Sequence, residues 1–162
     1  MYGTLTLSLI ITAALAVSAS APARAAPTQE PTRKGFVTDV EQTTEQNQDY
    51  RRVLYTGSHL QLVVMALPPG EHIGLETHPV DQFFRVEEGH GVVLIDGRRT
   101  PVSAGSGVIV PAGSRHDFFS TGKTPLKLYT LYAPPNHRDG TVHHTREDAE
   151  RDHEHFDGKT TE

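Results

Sequence analysis

The side chains in this sequence best suited to chemistry are one carboxylate, one amide and two imidazoles in two short segments. Glu76 and His78 are separated by one residue, so in an extended strand both side chains leave the same face. Gln82 is four residues further on and keeps that parity if the chain between them bends only locally. His116 comes from a later segment, after a corner that contains proline and glycine. If the two segments meet inside a narrow barrel, these four groups can surround a divalent cation.

Short apolar stretches separated by turn residues must hold these groups in place. The dipeptide Asp96-Gly97 joins two of the stretches and is typical of a two-residue β-hairpin turn. No helical pattern lies between the stretches, which excludes a parallel α/β sheet and predicts an all-β sandwich or barrel. The predicted strands cover residues 52–55, 60–67, 82–86, 91–95, 107–110, 115–119 and 125–133, with residues 98–102 as the second arm of the hairpin.

Two segments flank the predicted strands. Residues 38–50 are polar and rich in glutamine, which predicts a short surface helix or a loop. After the last strand, Thr145 and Asp148 have the spacing of a capping box, and Glu147 and Arg151 form a favourable i,i+4 pair. The sequence therefore predicts one amphipathic C-terminal helix over residues 146–155, followed by a tail.

The first 25 residues have the pattern of a secretory signal peptide. An apolar run at residues 5–17 is too short to span a bilayer as a mature helix, and A-x-A cleavage sites follow at residues 23–25 and 19–21. No lysine or arginine precedes the run, so a retained hydrophobic anchor is the alternative. We expect a periplasmic or secreted protein that leaves the membrane after cleavage, with residues 26–35 as a flexible lead-in.

Composition excludes several function classes. The chain of 162 residues contains no cysteine, which rules out disulfides, zinc–thiolate sites and thiol catalysis. Its formal net charge is −5 and it has no basic cluster, so we predict no nucleic-acid partner. The sequence also lacks a nucleophile elbow, a phosphate-binding loop and a dinucleotide fingerprint.

Two motifs in the chain resemble those of the cupin superfamily, which read G-x5-H-x-H-x3,4-E-x6-G and G-x5-P-x-G-x2-H-x3-N. Further segments, residues 51–57, 81–87, 126–135 and 155–159, are similar to small single-domain bacterial cupins that are often labelled mannose-6-phosphate isomerase-like. The corresponding residues here are Gly70, Glu76, His78, Gln82 and Gly89 in the first motif, and Gly105, Pro111, Gly113, His116 and Ser120 in the second.

The resemblance implies a double-stranded β-helix, or jelly-roll barrel, over residues 36–145. It also implies a divalent metal ion held by Glu76, His78, Gln82 and His116. Fe or Mn is the favoured ion, with Ni, Co or Zn as alternatives. The chain departs from the motifs at Glu76, Gln82 and Ser120, where the family has histidine, glutamate and asparagine. The first two changes compensate in charge and leave the loaded site near +1, which suits an anionic or enolate-like oxygen.

Other interpretations of these residues remain open at this point. His78 and His116 can be histidines satisfied within a polar core, and Glu76 can be a surface carboxylate. Gln82 can orient a histidine rather than bind the ion. Arg52 and Arg85 are candidates to bind an anionic substrate, although charges on strands are usually solvated.

Two classes of function fit the resemblance. The first is a metal-dependent enzyme of the dioxygenase, lyase or isomerase type that acts on a small oxygen-rich molecule. The second is a non-catalytic cupin that binds a small acid or sugar. The catalytic residues are not identified by the sequence. Cupins commonly pair, so a homodimer is expected by resemblance alone.

Overall fold

The computed structural model describes residues 35–161 of the chain. The predicted signal peptide, residues 1–25, and almost all of the predicted lead-in, residues 26–35, lie outside this range. Within the range, no helix is long and apolar enough to cross a membrane.

The described residues form a β-rich domain flanked by two short helices. Every predicted strand is present, and the strand at Gly107–Val110 has the predicted bounds. In chain order the elements are α1 (Val40–Gln46), β1 (Arg51–Thr56), β2 (Gln61–Leu67), β3 (Asp81–Glu88), β4 (His90–Ile95), β5 (Arg98–Ser103), β6 (Gly107–Val110), β7 (His116–Ser120), β8 (Leu126–Ala133), β9 (Val142–His143) and α2 (Arg146–Arg151).

The strands form two antiparallel sheets that enclose the core. The larger sheet has the order β6-β3-β8-β2-β1-β9, and the smaller has the order β5-β4-β7. Pairing of strands that are distant in sequence, such as β2 with β8 and β3 with β6, gives the crossovers of a jelly roll. The expected all-β jelly-roll fold is therefore confirmed.

Both helices lie in segments for which the sequence allowed one, but the C-terminal helix is shorter than predicted. Residues 40–46 form a helix, which is one of the two alternatives predicted for residues 38–50, and Asp39 caps it by accepting a hydrogen bond from the Gln42 amide at 3.0 Å. The capping box of Thr145 and Asp148 is present in α2.

Helix α2 ends at Arg151 rather than at residue 155. Beyond it, the side chains of Asp152 and Glu154 accept hydrogen bonds from His143 and His137, at 3.1 and 2.6 Å. These contacts draw the segment onto the barrel and away from a helical path.

The register of the larger sheet places Gln82 on the same inner face as residues of the apolar core. Phe84 pairs with Thr130 and Val108, and the Phe84 ring packs against Phe118 with 4.5 Å between centroids. Two residues before Phe84, Gln82 pairs with Tyr132 and Val110. Since alternate residues of a strand share a face, Gln82 points to the same side as the buried Phe84. One end of the apolar core is thus lined by polar groups.

Candidate metal site

A short extended segment before β3 determines where Glu76 lies. Residues 71–76 run antiparallel to β7, with a hydrogen bond from the Ile73 amide to the Phe118 carbonyl at 3.1 Å. At the end of this segment, Glu76 and His116 exchange two backbone hydrogen bonds, at 2.9 and 3.0 Å. Directly opposed residues in an antiparallel pair have neighbouring side chains. The backbone therefore brings together two groups that are far apart in sequence.

Three of the four predicted side chains form one cluster. Possible ligand atoms of Glu76, His78 and His116 all lie within 4.8 Å of one another. Glu76 Oε2 and His78 Nε2 are 3.1 Å apart, as the shared strand parity predicts. The centroids of the two imidazole rings are 5.5 Å apart. This arrangement can hold a divalent cation between one carboxylate oxygen and two imidazole nitrogens.

Gln82 lies on the inner face of the sheet between rings that contact the two histidines. Its strand neighbour Tyr132 packs edge-on against His78 at 5.7 Å, and Phe84 packs against His116 at 6.0 Å. Gln82 is 2% exposed, and neither its Oε1 nor its Nε2 has a hydrogen-bond partner among the described residues. Buried amides are almost always hydrogen-bonded, so both atoms are available to a group bound beside them.

The tautomer and orientation of the His116 ring leave its Nε2 available to bind a metal ion. Its Nδ1 lies 3.1 Å from the Ser114 carbonyl oxygen, which can only accept, so Nδ1 carries the proton. Burial lowers the pKa of His116, despite the opposing effect of that hydrogen bond, and keeps the ring neutral. Its Nε2 therefore presents a lone pair, and this buried atom has no partner in the described part of the chain. A neutral, oriented imidazole of this kind is what a divalent cation requires.

A buried arginine forms an ion pair with the carboxylate of the cluster. Arg51 Nη2 lies 3.0 Å from Glu76 Oε1, and the arginine side chain is 7% exposed. Burial would raise the pKa of Glu76, but the hydrogen bond with His78 and the charge of Arg51 outweigh it and lower the pKa to about 2. Glu76 is therefore ionised at neutral pH.

The sequence analysis did not identify Arg51 as a site residue, although the alternation of side chains along β1 indicates that it points inward. Arg51 and Val53 share a face of β1, and Val53 belongs to the buried core. The two arginines suggested for anion binding lie elsewhere. Arg52 pairs with Asp49 at 2.6 Å, and Arg85 lies 3.7 Å from Glu87. Neither is part of the cluster.

Two further histidines are engaged outside the cluster. His137 is buried, with Nδ1 2.6 Å from Glu154 and Nε2 3.1 Å from the Tyr132 hydroxyl. His72 lies 2.8 Å from Asp117 through Nδ1 and 2.6 Å from Arg146 through Nε2. Both rings are held by charged neighbours and serve the packing of the C-terminal region against the barrel.

Comparison with known proteins identifies the family. A family model described as the cupin domain matches residues 63–132, a stretch that contains all four predicted site residues. The uncharacterized protein YrkC of Bacillus subtilis (strain 168) is 47% identical over 123 residues, which cover 72% of this chain and 66% of that protein. The uncharacterized protein L612 of Acanthamoeba polyphaga mimivirus is 38% identical over 112 residues, which cover 66% of this chain and 70% of that protein. The matches thus span about two thirds of the length of these relatives.

One solved structure is similar to this chain in both fold and sequence. The crystal structure of BH2720 from Bacillus halodurans superposes with a TM-score of 0.71 at 44% identity, covering 74% of this chain and 96% of that one. Together with the two-sheet architecture and the motif spacing, these similarities lead to one conclusion about ancestry. The chain belongs to the cupin superfamily.

Proposed function

We propose that this protein binds a divalent metal ion through Glu76, His78 and His116, with the Gln82 amide oxygen as a fourth donor, and acts as a metal-dependent enzyme on a small oxygen-rich molecule. The observation that carries the proposal is the cluster of Glu76, His78 and His116 together with two buried atoms, His116 Nε2 and Gln82 Oε1, whose lone pairs have no partner among the described residues. A cation satisfies both atoms at once, whereas an apolar ligand satisfies neither.

The donor set favours a particular group of ions. Two imidazoles and one carboxylate are the protein ligands of non-haem Fe(II) sites that keep positions open for other ligands. Fe or Mn is the proposed ion, with Ni, Co or Zn as alternatives. When bound, such an ion supplies Lewis-acid polarisation of a carbonyl or enolate oxygen, and iron or manganese also supplies redox chemistry.

The surrounding residues orient the donors. The Ser114 carbonyl fixes the tautomer of His116 at 3.1 Å, and the Tyr132 ring supports His78 at 5.7 Å. Arg51 holds one oxygen of Glu76. Because Arg51 and Tyr132 are themselves buried, they exclude water from the protein side of the site.

A second candidate is a cupin that binds a small acid or sugar without turnover. The observation that favours it is the protonation of two acid–base groups, Glu76 in the cluster and Tyr132 beside it. Burial raises the pKa of Tyr132, and the pKa of Glu76 is lowered to about 2. Neither value is near neutrality, where a general base is most effective. In this candidate the same four residues, with or without a metal ion, bind the ligand without converting it.

Metal analysis tests the proposed site. The full chain, purified without added metal and then incubated with Fe(II) or Mn(II) under anaerobic conditions, should hold about one ion per chain. His78→Ala and His116→Ala should lose the ion. The matched control is His153→Ala, since His153 is exposed and lies outside the cluster. Equal metal contents in all four proteins would overturn the assignment.

Turnover separates the two candidate functions. The metal-loaded protein is screened against small hydroxy acids, oxo acids and sugars, with thermal stability and consumption of the compound measured in parallel. A compound that is consumed supports the enzyme, and one that stabilises the protein but is never consumed supports the binding protein.

Export is a separate proposal from the sequence. We infer that residues 1–25 direct the protein to the periplasm or the medium. Expression of the full chain in a bacterial host, fractionation and N-terminal sequencing should give a mature protein that begins near Ala26. An intact N-terminus on cytoplasmic protein would contradict the inference.

A further inference from the structure

The buried atoms without hydrogen-bond partners around the site include hydrogen-bond donors as well as acceptors. His116 Nε2 and Gln82 Oε1 present lone pairs, which a cation can take. Gln82 Nε2 and Arg51 Nε carry hydrogens, and they also lack partners among the described residues. A cation cannot satisfy an N–H group. The proposed metal ion therefore leaves a demand for a hydrogen-bond acceptor in the same buried space.

The two unsatisfied atoms of Gln82 share one amide group. The side chain is 2% exposed and lies on the inner face, flanked by Tyr132 and Val110. If Oε1 turns to the ion, Nε2 on the same carbon lies next to the ion's other ligands. That N–H would then be available to an oxygen of a small molecule in an open coordination position.

The charges favour an anionic acceptor. Arg51 and Glu76 form an ion pair and cancel each other, and His116 is neutral when its Nε2 binds an ion. Gln82 adds no charge, so a divalent ion brings the site close to +2 if His78 binds as neutral imidazole. An ion with the four predicted ligands alone would carry a charge of +1. Arg51, which is not among those ligands, adds one more positive charge. A glutamate at position 82 would remove one of these charges and replace the N–H donor with an acceptor.

We propose that Gln82 is a specificity residue whose Nε2–H donates a hydrogen bond to an anionic oxygen of the bound molecule. The inference rests on the proposed metal site and specifies its ligand class, which is a small oxyanion that chelates through two oxygens, such as a hydroxy-acid carboxylate or an enolate. Neutral ligands that lack an acceptor next to the coordinating atom gain nothing from Gln82.

Two probe ligands separate this role from a purely structural one. The full chain is loaded with Co(II), and its visible spectrum is titrated with acetohydroxamate, an anionic O,O chelator, and with imidazole, a neutral nitrogen donor. Gln82→Met removes the amide donor, and Gln82→Glu replaces it with a negative charge. Each variant should lose acetohydroxamate affinity by about tenfold or more, the size expected for a hydrogen bond to a charged group. Imidazole affinity should fall at least about threefold less than acetohydroxamate affinity, because bound imidazole offers no acceptor to Gln82.

The matched control is Gln46→Glu, which makes the same charge change at an exposed position of α1. It should leave both affinities as in the unmodified chain. If both Gln82 variants bind acetohydroxamate as tightly as the unmodified chain, or lose both probes equally, the specificity role is wrong. If the unmodified chain gives no Co(II) spectrum, the proposed metal site itself fails, and this inference fails with it.

Discussion

Replacing Arg51 with methionine should destabilise the protein without metal and strengthen its hold on metal. The substitution keeps much of the buried apolar stem but removes the cation 3.0 Å from Glu76. Removing one partner of a buried ion pair costs about 3–5 kcal/mol. Because the Glu76 side chain is 24% exposed, we expect the lower end, about 3 kcal/mol in the free energy of unfolding.

Divalent metal should offset much of this loss. Without Arg51, Glu76 Oε1 is released to bind the ion, and a positive charge that repels the ion is gone. A ligand that binds only the folded state stabilises that state more when its affinity is higher. The stability difference between Arg51→Met and the unmodified chain should therefore shrink as metal is added.

Urea unfolding with and without Mn(II) measures both effects. The control is Arg52→Met on the same strand, whose side chain is 43% exposed and pairs with Asp49. Pairs at exposed positions contribute about 0–1 kcal/mol, so this variant should change little under either condition. If Arg51→Met loses the same free energy with and without metal, the idea that Arg51 competes for Glu76 is refuted.

Two other predictions concern protonation and packing. Burial lowers the pKa of His137 below its ordinary 6.5, against the raising effect of Glu154, so the unfolded chain binds the extra proton and stability should fall as pH drops from 7 to 5. One such group contributes at most about 1.4 kcal/mol per pH unit, and urea unfolding of His137→Gln should show a flatter pH profile; an unchanged slope would contradict this origin. Gly91→Ala should cost about 1–3 kcal/mol, because a Cβ there would lie 2.6 Å from the Phe119 carbonyl oxygen. Gly107→Ala, which meets only the movable Phe83 ring at 3.3 Å, is the comparison, and equal thermal stability of the two variants would refute the steric argument.

The sequence predicted the strands because their signals are local. Alternating burial and turn residues mark β3 and the hairpin at Asp96-Gly97, and the structure has both. The meeting of Glu76, His78 and His116 followed from motif spacing, and the structure brings them together. Their coordination of a metal ion is still a prediction.

The partners of these residues were not predictable in the same way. The contact of Arg51 with Glu76 depends on how β1 packs beside a segment 25 residues away, and no local pattern encodes that distance. The end of α2 depends likewise on side chains of Asp152 and Glu154 that find partners elsewhere on the barrel. In both cases tertiary contacts override what the local sequence prefers.

The paired backbone bonds between Glu76 and His116 have a consequence for how such proteins diversify. These hydrogen bonds fix the backbone positions of residues 76 and 116, from which two metal ligands project. They use only the main-chain N–H and C=O groups, and every residue except proline has both. An exchange of carboxylate for imidazole at position 76 therefore alters the hardness of the donor while the scaffold keeps its shape. Selectivity among transition metals can then change by substitution at position 76, provided that the buried charge of Arg51, which Glu76 balances here, is removed as well.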